Sequence, residues 1–150
     1  MDRTQSHAAP TPVDAGHRRY LVALVIGDII AFLLFAAIGR RSHGEAAGLA
    51  AGLQVIETAA PFLLGWFLTA PFTRAYRQVT GPAMMARRTA LAWLIAWPLG
   101  LLLRGLYLSR GIPPSFAIVT LLSNGVILCG WRVLFAWLGD RLYKRPTHPL

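Results

Sequence analysis

The chain has 150 residues, of which 55% are apolar and only 14% charged, with a formal net charge of +9. Soluble domains carry about 25% charged residues, so this chain has too few charges to cover a water-exposed surface. Its arginines and single lysine stand mostly in short blocks between long apolar runs, not along one exposed face. That pattern excludes a nucleic-acid-binding domain and fits basic loops flanking membrane helices.

Residues 1–19, with Pro10, Pro12 and no apolar periodicity, read as a disordered tail. Four apolar runs follow, over residues 20–39, 46–69, 89–108 and 115–138. Each is about 20 residues or longer, enough at 1.5 Å per residue to cross the ~30 Å hydrocarbon core. Backbone N–H and C=O groups cannot stay unpaired in lipid, so each run is expected to be a helix. None shows the alternating polarity of a membrane strand. The first run contains Asp28 and exceeds the roughly 7–15 apolar residues of a cleaved signal, so it reads as a retained helix. Short connections, 40–45 and 109–114, close two hairpins, and the longer 70–88 joins them. Pro113 and Pro114 suit a tight entry into the fourth helix. Residues 139–150 read as a second tail. The expected fold is all-α, an integral membrane four-helix bundle built from two helical hairpins over residues 20–138. Trp66, Trp93, Tyr107 and Trp137, toward helix ends, are expected at the membrane interface. The lone Cys129 allows no internal disulfide.

Basic residues near the span ends set orientation. Ten fall on one side (Arg3, Arg18, Arg19, Arg74, Arg77, Arg87, Arg88, Arg141, Lys144, Arg145) and three on the other (Arg40, Arg41, Arg110). Both termini are therefore expected in the cytoplasm, with the chain in the cell membrane.

Charges inside the spans are the candidate site. Asp28 falls near the middle of helix one and Glu57 near the middle of helix two. Arg104 lies toward the outer end of helix three, and Arg132 in the inner half of helix four. A lone charge at the bilayer centre costs about 2.5–3.5 kcal/mol, whereas a Leu or Ile returns only about 0.3–0.6 kcal/mol. Pairing lowers that cost. By depth, Asp28 pairs with Arg132 and Glu57 with Arg104. A stripe of small and polar residues on helix two (Ala47, Ala50, Ala51, Gln54, Glu57, Thr58, Pro61, Gly65) is expected to pack against protein. So is the stripe Leu121, Asn124, Gly125, Leu128 and Arg132 on helix four. Pro61 and Pro98 free backbone carbonyls near mid-span. Gly48 and Gly52 form a GxxxG on another face, suited to a partner helix or a second copy.

The outer loop holds Arg40, Arg41, Ser42, His43 and Glu45. It reads as a capped turn at headgroup level, with Arg40, Arg41 and His43 as candidate ligands for a phosphate headgroup or anion. No nucleophile elbow, metal-ligand spacing, P-loop or dinucleotide motif appears, so no enzyme activity, metal or cofactor is expected.

These residues resemble an uncharacterised prokaryotic membrane family, domain of unknown function 3054. Asp28, the run Phe35–Arg40, Ser42-His43, Pro61-Phe62, Gly65-Trp66, Trp93 to Pro98, Gly100, Arg104 and Trp131-Arg132 carry the resemblance. It implies a four-helix integral membrane protein and brings no activity. Three functions remain open. A small transporter or ion-coupled permease-like unit would use Asp28 and Glu57 for protons or cations, and Arg104 or Arg132 for an anion. Four helices are few for a pathway, so that reading, favoured narrowly, predicts a homo-oligomer. A scaffold or accessory subunit would use the ion pairs to specify helix packing. A lipid-acting enzyme rests on the outer loop alone.

Overall fold

The computed structural model describes residues 12–41, 49–78 and 81–143. They are almost wholly helical and hold no strand. Helix α1 runs Pro12–Arg41, α2 Leu49–Thr69 and α3 Pro82–Leu108. The fourth span has three parts: α4 over Pro114–Val119, a π-helical turn over Thr120–Asn124, and α5 over Gly125–Tyr143. Four helices are long and apolar enough to cross a membrane, and the protein is a multi-pass membrane protein of the expected class.

Each span shows why it belongs in lipid. On α1, Val22, Ile26, Ile30, Leu34 and Ile38 recur every fourth residue and are each about half exposed. Leu24, Asp28, Ala31, Phe32 and Phe35 line the opposite face and are buried. A soluble helix would put polar residues on the first face; here lipid covers it. The same inversion holds for Leu64 and Leu68 on α2 and Leu94 and Leu102 on α3.

Packing follows chain order around a ring, with α1 against α2, α2 against α3, α3 against α5, and α5 back against α1. Helices α2 and α3 approach closely at Gly65 and Gly100. A Cβ on Gly65 would stand 2.9 Å from the Ala96 carbonyl oxygen, so α2 and α3 touch backbone to backbone. An aromatic core fills the axis. Phe32 meets Trp66 and Trp93 at centroid distances of 6.3 and 5.7 Å, and Phe62 meets Trp93 and Phe116 at 6.4 and 6.2 Å.

Several boundaries differ from the sequence reading. Helix α1 begins at Pro12, so residues 12–19 are helical and not tail. Proline suits the first helical turn, where its missing N–H has no intrahelical partner. Helix α3 likewise starts at Pro82, after Gly81 at φ 96°, placing Arg87 and Arg88 on a helix rather than in a loop. The C-terminal helix continues to Tyr143. Trp66 and Trp93 are buried core residues, 0% and 2% exposed, whereas Tyr107 and Trp137 are exposed as expected of interface residues. Both α2 and α3 run unbroken through Pro61 and Pro98. The irregular turn is instead at Thr120–Asn124. There the Trp93 indole N–H donates to the Leu121 carbonyl (2.9 Å) and Trp97 to that of Ala117 (3.1 Å). Two indoles one turn apart on α3 thus serve two carbonyls one turn apart on the fourth span. They supply donors for a ladder that a π turn loosens.

Candidate functional site: a buried acid–base clasp

Asp28 and Arg132 meet at the α1–α5 contact. Arg132 Nε donates to Asp28 Oδ1 at 2.8 Å and Nη2 to Oδ2 at 2.5 Å, a bidentate pair in which both side chains are 0% exposed. The expected pairing by depth therefore holds. The third guanidinium nitrogen, Nη1, donates to the Ala75 carbonyl at 2.8 Å. Around Oδ2 stand two more donors, the Trp66 indole N–H at 3.0 Å and the Tyr76 hydroxyl at 2.9 Å. The same indole N–H also reaches the Tyr76 oxygen at 3.0 Å. The guanidinium carbon lies 4.9 Å from the centroids of both the Trp66 and Tyr76 rings. A buried charge is tolerable only when paired and hydrogen-bonded, and this one is.

Local backbone chemistry brings Ala75 and Tyr76 to the clasp. Beyond Thr69 the chain turns tightly, with the Ala70 N–H on the Trp66 carbonyl and the Ala75 N–H on the Ala70 carbonyl. Arg74 adopts a left-handed conformation at φ 58°, which reverses the chain. Ala70 and Ala75 are consequently buried, and the 70–78 segment closes this end of the bundle.

Burial and the charge on Asp28 push the Tyr76 phenol well above its ordinary value near 10, against a smaller lowering by Arg132. The folded state therefore favours the protonated phenol. Its stabilisation is present below pH 10 and is lost as pH rises above that toward the folded value. In an alkaline titration followed at 295 nm, Tyr76 is expected to ionise last among the tyrosines. Tyr76→Phe should remove that late component and flatten the alkaline loss of stability. If it leaves both unchanged, the hydroxyl is not held by Asp28.

The other predicted residues do not converge on the clasp. Glu57 and Arg104 do not form an ion pair. Glu57 faces outward from α2, whereas Arg104 follows Ala96 and Gly100 on the inward stripe of α3. Arg104 sits 4.7 Å over the Phe116 ring instead. The helix-two stripe is buried only at Pro61 and Gly65, while Ala50, Gln54 and Glu57 are exposed. Arg40 donates to Gln54 at the far end of the bundle. His43, Ala47 and Gly48 lie outside the described residues, and Gly52 faces open space. On the fourth span Asn124, Leu128 and Arg132 are all buried, as the stripe implied. Asn124 has no hydrogen-bond partner for either amide atom. No group of three or more His, Cys, Asp or Glu suited to a metal occurs among the described residues.

Trp66, Tyr76 and the Ala75 carbonyl escaped the sequence reading. Trp66 had a signal: it follows Ala59 and Phe62 at the seven- and four-residue spacing of a buried helix face. Tyr76 and Ala75, in a basic connection, had none.

Residues 25–135 match a family described as a protein of unknown function (DUF3054). The chain belongs to that family. No curated protein and no solved structure gives a match. The matched region runs from within α1 to within α5 and so contains every member of the clasp, Asp28, Trp66, Ala75, Tyr76 and Arg132.

Proposed function

We propose that this chain is a non-catalytic membrane scaffold or accessory subunit whose clasp sets helix pairing, with both termini in the cytoplasm. One observation carries the reading. Both charges are wholly buried, all three guanidinium nitrogens and both carboxylate oxygens already have partners, and the 70–78 segment covers them. A carboxylate that exchanges protons or cations needs an approach; Asp28, 0% exposed and already accepting four hydrogen bonds, has none. The clasp ties α1, α5, the end of α2 and the following segment into one unit, which suits a rigid partner for other membrane chains. The cytoplasmic placement rests on the ten-to-three division of basic residues.

A transporter is the second reading, favoured by the π turn beside the buried, unpartnered Asn124. Such turns often occur where a helix changes register for function, and a shift there would turn Arg132 away from Asp28. Proton flux into vesicles separates the two. The purified chain and an Asp28→Leu/Arg132→Met double variant are reconstituted with an imposed pH gradient and a pH-sensitive dye. A scaffold leaves both indistinguishable from protein-free vesicles. Flux in the wild type that disappears in a folded double variant decides for transport.

A further inference from the structure

The bundle end opposite the 70–78 segment carries charge that the clasp does not use. Arg40, one residue from the end of α1, is there, bonded to Gln54. Arg104 is on α3, four residues or about 6 Å before Leu108, close to headgroup depth. Its guanidinium lies 4.7 Å over the Phe116 ring and, among the described residues, has no ion pair or hydrogen bond. The Arg110 backbone N–H donates to the Gly105 carbonyl at 3.4 Å, which folds the connection to α4 back beside Arg104. Among the described residues, exposed Arg110 and Glu57 are the charged groups that act on Arg104. Glu57 is the one acid in this half of the described residues. This is also the side on which the basic-residue count is low, so orientation does not explain arginines here.

We infer that Arg104 and Arg110 form a phosphate-binding site at this mouth of the bundle, with Phe116 as the platform beneath Arg104. A guanidinium stacked on a ring uses one face and keeps its N–H edge for an acceptor. That edge matches two oxygens of a phosphate, and repulsion between Arg104 and Arg110 falls when an anion sits between them. A phosphodiester of an anionic phospholipid and free phosphate share this chemistry.

The test uses the full-length chain, purified in detergent and stripped of lipid. It is titrated with phosphatidylglycerol or phosphatidylcholine in mixed micelles, and retained lipid is read by native mass spectrometry. Inorganic phosphate at constant ionic strength is added in a parallel thermal melt. The expected result is preferential retention of phosphatidylglycerol, reduced about fivefold by Arg104→Gln and similarly by Arg110→Gln. Arg104→Lys, which keeps the charge and loses the fork, should fall between. If phosphate alone raises the melting midpoint of wild type but not of the variants, the same site takes a free anion. Should Arg104→Gln not fold, Arg110→Gln, in an exposed connection, carries the test. Equal retention of both lipids without a phosphate response overturns the proposal. So does phosphatidylglycerol retention unchanged in the folded variants.

Discussion

Asp28→Asn is expected to lower the melting midpoint of the detergent-purified chain by on the order of 10 °C. The variant keeps the shape of the side chain and removes its charge. Arg132 is left 0% exposed with no counter-ion, and a guanidinium cannot shed its proton. Breaking one partner of a buried pair costs about 3–5 kcal/mol, and a chain of this size loses about 2–4 °C per kcal/mol. The reverse change is expected to cost less. In Arg132→Met the carboxylate that remains keeps the Trp66 and Tyr76 hydrogen bonds. Asp28→Leu with Arg132→Met should recover most of the loss, since apolar replacement of a whole buried pair is often neutral or stabilising. If Asp28→Asn melts with the wild type, the clasp does not hold the bundle together, and the scaffold reading goes with it.

A second large effect is expected at the α2–α3 crossing. Gly65→Ala places a Cβ 2.9 Å from the Ala96 oxygen and 3.0 Å from the Gly100 nitrogen, both backbone atoms. Backbone cannot swing aside as a side chain can, so the helices must separate. Overpacking of this kind costs about 1–3 kcal/mol. The separation would also pull Phe62 from Trp93 and Phe116, so the upper part of that range applies. Gly52→Ala is the internal control. Nothing lies within 4 Å of its Cβ, and alanine favours a helix over glycine by about 1 kcal/mol. An SDS titration should therefore show Gly65→Ala unfolding early and Gly52→Ala no earlier than wild type. Equal midpoints for the two would mean that the crossing tolerates a wider gap than the backbone contact implies.

The two predicted ion pairs show how far depth carries. Position along a helix axis is linear in sequence, so Asp28 and Arg132 could be set at one level, and Glu57 and Arg104 at another. Pairing also needs facing sides. Asp28 shares its stripe with Leu24 and Phe32, and Arg132 with Asn124 and Leu128, all buried. Glu57 sits between exposed Leu53 and Leu64 on the lipid side of α2. Which of the apolar faces of α2 meets lipid is not written in an apolar helix, because leucine suits both lipid and core. The tryptophans illustrate the same ambiguity. Trp66 stands near the end of α2 as an interface residue does, and Trp93 near the start of its expected apolar run, yet α3 begins eleven residues before it. The Asp28 carboxylate and the carbonyl of Leu121 claim the two indoles.

The class and the number of spans were legible in the amino-acid sequence alone, as was the shared level of Asp28 and Arg132. Lipid cannot satisfy backbone polar groups, and this fixes a minimum apolar length for each crossing. Tertiary structure alone decided which sides of those helices face one another. It also decided that a reversal at Arg74 sends Ala75 and Tyr76 back into the bundle, and that the fourth span breaks register at Thr120–Asn124 rather than at a proline. Those features depend on contacts between residues 20 to 104 positions apart, and no local pattern specifies them.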